Sequence, residues 1–209
     1  EPTFPGFRVA RYEDKMGLRI SKSAELSLTD CRVPVANRLG EEGQGLRVAL
    51  EALDGGRVGI AAQSVGLAQG AFEAAVKYAK QRRAFGKTIG EFQAIQFMLA
   101  DMQTEIEAAR GLMYYAAWMR DQGTSSGGAN RGGQARPGGQ ASRAKLYASE
   151  MANRACAKAV QIHGSQGYSR ESDVERYYRD ARVLTIYEGT SEMQRTVIAR
   201  ELLGSKGNA

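Results

Sequence analysis

Phe92, Ile95, Leu99, Met102, Ile106, Ala109 and Met113 recur at steps of three and four without a break. A helix turns once in about 3.6 residues, so this spacing sets all seven side chains on one stripe. A stripe of that length must be covered along its whole run, and other long helices cover it most simply. The chain is therefore expected to be a helical bundle, with these Met and aromatic residues in its core.

The flanking segments agree. From about residue 43, Leu46, Leu50, Leu53, Ile60, Leu67 and Ala71 keep a helical period in one long helix that ends near Arg82. Arg57 falls on this stripe, where a charge must snorkel, pair or serve a ligand. A third helix carries Ala148, Ala152, Ala155, Ala159 and Ile162 on one face and stops at His163-Gly164. Its small residues allow close helix contact. Shorter helices are expected over 171–182 and 191–203, the last opened by Ser191 and Gln194 at capping-box spacing.

The N-terminal residues read differently. Phe7 and Val9, Leu18 and Ile20, then Leu26 and Leu28 alternate with polar neighbours, punctuated by Gly17, Asp30 and Pro34. Three or four short strands of this kind form the tail of a sheet, not a domain. Residues 122–141 hold Gly127-Gly128, Gly132-Gly133 and Gly138-Gly139 among Ser, Gln and Arg, and are expected to be a flexible loop. The predicted fold is mainly α: an antiparallel up-down helical bundle over 43–209, preceded by the remnant of a β-sheet domain over 1–42. The opening Glu1-Pro2-Thr3, with neither an initiator Met nor a signal pattern, suggests a chain cut from a longer parent.

Composition excludes several chemistries. No run of 18 apolar residues is present, so no membrane span is expected. Cys31 and Cys156 lie far apart without a pairing pattern, which argues against a disulfide framework and fits a reducing compartment. With His163 as the sole histidine, a zinc site is disfavoured, as is a Ser-His-Asp hydrolase, for which no Gly-x-Ser-x-Gly elbow exists either. The net charge of +6 suits a protein that holds diphosphates or CoA-like anions, although bulk charge alone does not separate these from nucleic acid. Arg131-Gly132-Gly133 lacks interleaved aromatics and is a weak RNA signal, so no nucleic-acid partner is expected.

The strongest local signal is Arg179-Asp180-Ala181 followed by Ile186-Tyr187-Glu188-Gly189-Thr190-Ser191-Glu192. Here a Glu-Gly pair runs into a helix start, where Gly permits close approach and free N–H donors stand near the carboxylate. Taken alone, such a Glu is ordinarily a dipole partner. Asp54 and Arg57 alone read as an i, i+3 ion pair, and Arg82 through Lys87 as a basic helix end closed by Gly86.

Several of these motifs, in one order, resemble the acyl-CoA dehydrogenase family. Tyr187-Glu188-Gly189-Thr190-Ser191-Glu192, with Val174-Glu175-Arg176-Tyr177 and Arg179-Asp180 before it, is similar to the family's C-terminal signature. So are Leu53-Asp54-Gly55-Gly56-Arg57, Arg82-Arg83-Ala84-Phe85-Gly86-Lys87 and Phe92-Gln93-Ala94-Ile95-Gln96. Glu25-Leu26, Cys31-Arg32-Val33-Pro34 and Leu39-Gly40-Glu41-Glu42-Gly43 resemble the passage from the family's middle sheet to its C-terminal bundle. The likeness covers nearly the whole chain except 122–141, and about half of a usual family chain.

The resemblance implies an FAD enzyme that removes the α-proton and β-hydride of an acyl-CoA thioester to give a 2-enoyl-CoA. Glu188 is then the base, with its backbone N–H polarising the thioester carbonyl; Gly189 gives the acyl chain room and Tyr187 lines the cavity. Some members carry the base immediately before the residue matching Arg57, but that position is Gly56 here. This keeps the base at Glu188 and points to straight short- or medium-chain, or short branched, substrates. Asp54 and Arg57 are implied in substrate binding. Arg82 is implied at the FAD diphosphate of a neighbouring subunit, and Phe85 and Gln93 near its adenosine. Gln161, Gly164, Thr190 and Glu192 complete the implied FAD contacts, while His163 is read as packing. Ser165 departs from a usual Gly. The implied partners are an acyl-CoA substrate, an electron-transfer flavoprotein and further copies of the chain, as a dimer or tetramer sharing FAD. The implied setting is fatty-acid or branched-chain amino-acid breakdown, in bacterial cytoplasm or mitochondrial matrix. A different outcome is an inactive helical oligomerisation module.

Overall fold

The computed structural model describes residues 3–122 and 139–204. Three long helices build the core: α1 (Gly45–Gln81), α2 (Gln93–Asp121) and α3 (Gly139–His163). They run up, down and up. Arg154 meets Glu105 at 2.8 Å and Lys158 meets Asp101 at 3.1 Å, which sets α3 antiparallel to α2. Arg110 donates to Gln69 at 2.8 Å and ties α2 to α1. α1 and α3 run the same way, and their seam is lined by alanines: Ala61, Ala68, Ala71 and Ala75 against Ala148, Ala152, Ala155 and Ala159, all buried. Side chains this small bring the two backbones close, and α2 fills the remaining groove with Met102, Ile106, Ala109 and Met113.

The alanine face of α3 and the expected stripe of α2 from Met102 to Met113 are therefore core, with Ile95 and Leu99 partly buried against it and Phe92 at the N-cap outside it. The stripe expected on α1 holds in part: Ala71 is buried, and Ile60 and Leu67 are partly buried against the core. Leu46 and Leu50 are exposed, and the buried face is Ala61, Ser64, Val65, Ala68, Ala71, Ala75 and Ala79. At 3.6 residues per turn Leu50 lies within about 20° of Ala61 around the helix, so the two leucines are exposed by their place at the N-terminal end of α1 and not by their face.

Three local expectations also change. The N-terminal segment holds two strands, β1 (Phe7–Tyr12) and β2 (Ala24–Leu28), paired antiparallel with Phe7 opposite Leu28. Leu18 is not in a strand: its φ is 45°, and its N–H donates to the Asp180 carboxylate at 2.6 Å. The long helix ends at Gln81, and Arg83–Ala84 (β3) pairs with Lys87–Thr88 (β4) in a tight hairpin through Phe85 and Gly86, at φ 51° and 82°. Part of the expected Gly-rich loop is helical, since α3 begins at Gly139; residues 123–138 lie outside the described residues.

Beyond α3, a short 3-10 turn leads to α4 (Asp173–Ala181), a second over Arg182–Thr185, and α5 (Ser191–Leu203). The N-terminal ribbon is anchored on α4, where Arg179 donates to the Met16 carbonyl at 3.0 Å and Gly17 lies against the Arg179 backbone.

Candidate active site

The loop between Arg182–Thr185 and α5 passes over the N-terminal part of α1. Glu188 has φ 53° and Gly189 φ 89°, two successive left-handed residues that turn the chain sharply. This turn lays the Glu188 carboxylate directly on Gly56. A Cβ at residue 56 would fall 2.3 Å from Glu188 Oε2 and 2.7 Å from its Cδ, so only glycine leaves the space. Glu188 Oε2 is buried and makes no hydrogen bond.

Beside it stand the two charged residues singled out on α1. Arg57 Nη1 donates to Asp54 Oδ1 at 2.7 Å, with the side chains 12% and 11% exposed. Arg57 Nε is buried without a hydrogen-bond partner. Buried polar atoms are nearly always satisfied, so orphan atoms on an acid and on a base in one small region mark a place built for another molecule. Tyr187 donates its hydroxyl to Gln63 Oε1, and burial raises that hydroxyl above the ordinary tyrosine range.

Two residues of this site were not singled out from sequence as functional. Lys145 of α3 has no exposed surface, and its ammonium donates to the Gly189 carbonyl at 2.7 Å. Burial, and then the Arg57 charge, push its pKa down to about 8, against the opposing charges of Glu188, Glu150 and Glu192. Lys145 continues the alanine stripe of α3 three residues before Ala148. A charge on an apolar stripe, the argument applied to Arg57, could have found it. Gln194 of α5 is also fully buried; its Nε2 donates to the Glu188 carbonyl at 3.2 Å and the Gly189 carbonyl at 3.0 Å. The expected Ser191–Gln194 capping box is thus replaced. Thr190 is the N-cap, accepting from Met193 N–H at 3.4 Å, while Gln194 turns back toward the loop.

Thr190 and Glu192 border a cleft of about 510 Å³ lined also by Asn153, Arg182 and Ser191. The Ser191 hydroxyl oxygen is buried and unpartnered. Asp54, Arg57, Tyr187, Glu188, Gly189, Thr190 and Glu192 therefore gather at one end of the bundle.

Arg82, Phe85, Gln93, Gln161 and Gly164 do not join them. Arg82 follows the last residue of α1, and a helix rises about 1.5 Å per residue, which puts it about 37 Å from Arg57. There the Phe85 ring is 96% exposed at the hairpin tip, edge-on to Phe92 at 6.2 Å. Gln93 opens α2, and Gln161 and Gly164 flank the end of α3, Gly164 at φ 59°. His163 stacks on Tyr78 at 4.3 Å, with its Nδ1 2.8 Å from the Ala159 carbonyl oxygen, which is a packing role. Among the described residues no cluster of three or more His, Cys, Asp or Glu could hold a metal, and no helix is long and apolar enough to cross a membrane.

The family model for the acyl-CoA dehydrogenase C-terminal domain matches residues 43–203. Probable acyl-CoA dehydrogenase YngJ of Bacillus subtilis (strain 168) is 51% identical over 200 residues, covering 95% of this chain and 50% of that protein. The caffeyl-CoA reductase-Etf complex subunit CarC of Acetobacterium woodii is 50% identical over 198 residues, covering 95% of this chain and 49% of that protein. The solved butyryl-CoA dehydrogenase of Megasphaera elsdenii superposes with a TM-score of 0.89 at 46% identity, over 97% of this chain and 50% of that one. The chain thus spans about half the length of the curated relatives it matches.

Proposed function

Because the chain belongs to the acyl-CoA dehydrogenase family, we propose that it carries the catalytic base of an FAD-dependent α,β-dehydrogenation of acyl-CoA thioesters, and that Glu188 is that base. The observation that carries this reading is the Glu188 carboxylate laid over Gly56 with a buried, unpartnered oxygen. A thioester α-proton is a weak acid. A carboxylate removes it effectively only where little water competes and where the base is held within contact of the carbon. Glu188 Oε2 takes the α-proton, and the backbone N–H of Glu188 donates to the thioester carbonyl as enolate charge develops. The Asp54–Arg57 pair orients the thioester end of the substrate, with Arg57 Nε still free to donate. Tyr187 and Gly189 border the acyl chain, and the substrates are straight short- or medium-chain, or short branched, acyl-CoA. In family members with the base on the first helix, it would project from position 56; here that space is filled from the other side by Glu188.

When bound, FAD supplies the acceptor for the β-hydride. The residues present suit it at both ends of the bundle. Thr190, Glu192 and the orphan Ser191 hydroxyl border a cleft at the N-terminus of α5, where N–H donors face outward. Arg82 offers a fork for a diphosphate, and the exposed Phe85 ring and Gln93 suit an adenosine. These groups lie farther apart than one dinucleotide spans. We therefore assign Arg82, Phe85, Gln93, Gln161 and Gly164 to the FAD of a second copy in a dimer or tetramer. An electron-transfer flavoprotein is the proposed redox partner, in bacterial cytoplasm or mitochondrial matrix, since the relative from A. woodii is named as a subunit of an Etf complex.

That same relative is named a reductase, and this favours a second direction for the same chemistry, in which protonated Glu188 would return a proton to Cα of a 2-enoyl-CoA while reduced flavin, when bound, would supply the hydride to Cβ. The test is made on the whole protein. Butyryl-CoA should bleach its flavin absorbance near 450 nm, and Glu188→Gln should abolish the bleaching while flavin stays bound. Full activity in that variant refutes the assignment. A whole protein that binds neither flavin nor acyl-CoA would leave the helical oligomerisation module as its role.

A further inference from the structure

A fully buried lysine is an expensive residue, and a methionine of similar size would serve the α1–α3 seam better for stability alone. Lys145 is spent instead on one backbone oxygen, the Gly189 carbonyl at 2.7 Å. Gln194 places its carboxamide nitrogen between the Glu188 and Gly189 carbonyls, at 3.2 and 3.0 Å. It also lies so close beneath Gly189 that a Cβ there would come within 2.6 Å of Nε2. The loop held in this way needs holding. Glu188 is a non-glycine residue in the left-handed region, which costs about 1–2 kcal/mol and persists only where the surroundings over-determine it.

We propose that Lys145 and Gln194 form a clamp on the Glu188 and Gly189 carbonyls, and that the clamp is what aims the Glu188 carboxylate; both are positioning residues. The inference rests on the reading of Glu188 as the base. A trans peptide carries its N–H opposite its C=O, so fixing both carbonyls inward turns the Gly189 and Thr190 N–H groups away from the clamp. The held 188–189 plane fixes the C-terminal side of the Glu188 Cα, and the held 189–190 plane fixes the left-handed turn that carries it, so the loop presents the Glu188 side chain over Gly56. The ammonium bond is charge-assisted and anchored on the most extensively packed helix pair, while the carboxamide comes from α5. The loop is thereby pinned from two elements that are themselves fixed.

The experiment compares Lys145→Met, Lys145→Gln and Gln194→Met with Glu188→Gln in the flavin-loaded whole protein. Flavin bleaching by butyryl-CoA gives kcat and KM, and deuterium wash-in at Cα from D2O, read by NMR, isolates the proton-transfer step. A misaimed base loses on the order of 100-fold in rate for about 1 Å of displacement. Lys145→Met should therefore lower kcat and α-exchange together by about 30- to 100-fold, with KM within about threefold. Lys145→Gln, which keeps a donor, should recover about half of that loss on a logarithmic scale. If Lys145→Met does not fold, Gln194→Met and Lys145→Gln carry the comparison, with the same split of kcat from KM expected. Variants that bleach and exchange within about threefold of wild type, or whose loss follows flavin content rather than kcat, overturn the clamp. Those results leave Glu188→Gln inert. If Glu188→Gln is itself active, the base assignment has failed, and the clamp falls with it.

Discussion

Replacing Gly56 by alanine separates the geometry of Glu188 from the stability of the fold. Gly56 is in the interior of α1, where Gly→Ala ordinarily stabilises by about 0.5–1 kcal/mol through the chain entropy that glycine loses on folding. The new Cβ would fall 2.3 Å from Glu188 Oε2, whereas ordinary contact begins at 3.4 Å. One partner must therefore move by about 1 Å. The backbone of α1 is held by its buried alanine seam with α3, so the carboxylate is the partner that yields. Misplacement of a reacting group by about 1 Å costs on the order of 100-fold in rate, or about 2.7 kcal/mol of transition-state stabilisation. The variant should melt at or above the wild-type temperature and still bind flavin, yet bleach with butyryl-CoA about 100-fold more slowly. Gly59→Ala is the matched control: it lies one turn on in the same helix with nothing within 4 Å of the added Cβ, and should gain the stability without losing the rate. The reasoning is refuted if Gly56→Ala bleaches within about threefold of wild type while Gly59→Ala behaves the same.

Three further outcomes are expected. Folding holds the Lys145 ammonium at about 8, below its ordinary 10.5, so the unfolded chain binds more protons between those values and stability at this site rises with pH across that window. Denaturant titrations from pH 7 to 10 should shift the wild type upward against Lys145→Met by about 2–3 kcal/mol, and a flat difference would count against the burial of a charged lysine. Burial, with Asp180 as a lesser cause, pushes the Cys156 thiol up to about 12, so iodoacetamide at neutral pH should label Cys31 in the folded protein and reach Cys156 only after denaturation. A Cβ at Gly167 would meet the Val160 carbonyl oxygen at 2.6 Å and His163 Cβ at 2.8 Å; Gly167→Ala should cost about 1–3 kcal/mol in urea unfolding, and an unchanged midpoint would show that this corner can relax.

The sequence by itself determined the helical architecture. The unbroken steps from Ile95 to Met113 and the alanines of α3 follow from helical period alone; the alanines and Met102 to Met113 are buried, with Ile95 and Leu99 partly buried against them. Spacing also picked out Arg57 as a charge needing a partner, and the ordered motifs around Glu188 pointed to its family. It did not determine how far along α1 the core extends, because Leu46 and Leu50 share a side of the helix with Ala61 and only the packing of the bundle leaves that N-terminal end uncovered. Nor did it reveal that Ser191 and Gln194 forgo the capping box, since the carbonyls that draw Gln194 away become available only once the loop adopts two left-handed residues. Gly56, Lys145 and the Glu188–Gln194 segment are separated along the chain by tens of residues. Periodicity reports which side of a helix is apolar and is silent on where a carbonyl points or how near two helices come. Those depend on packing of the whole bundle, and it is the tertiary structure that turned a carboxylate at a helix start into one seated on a glycine and held from beneath.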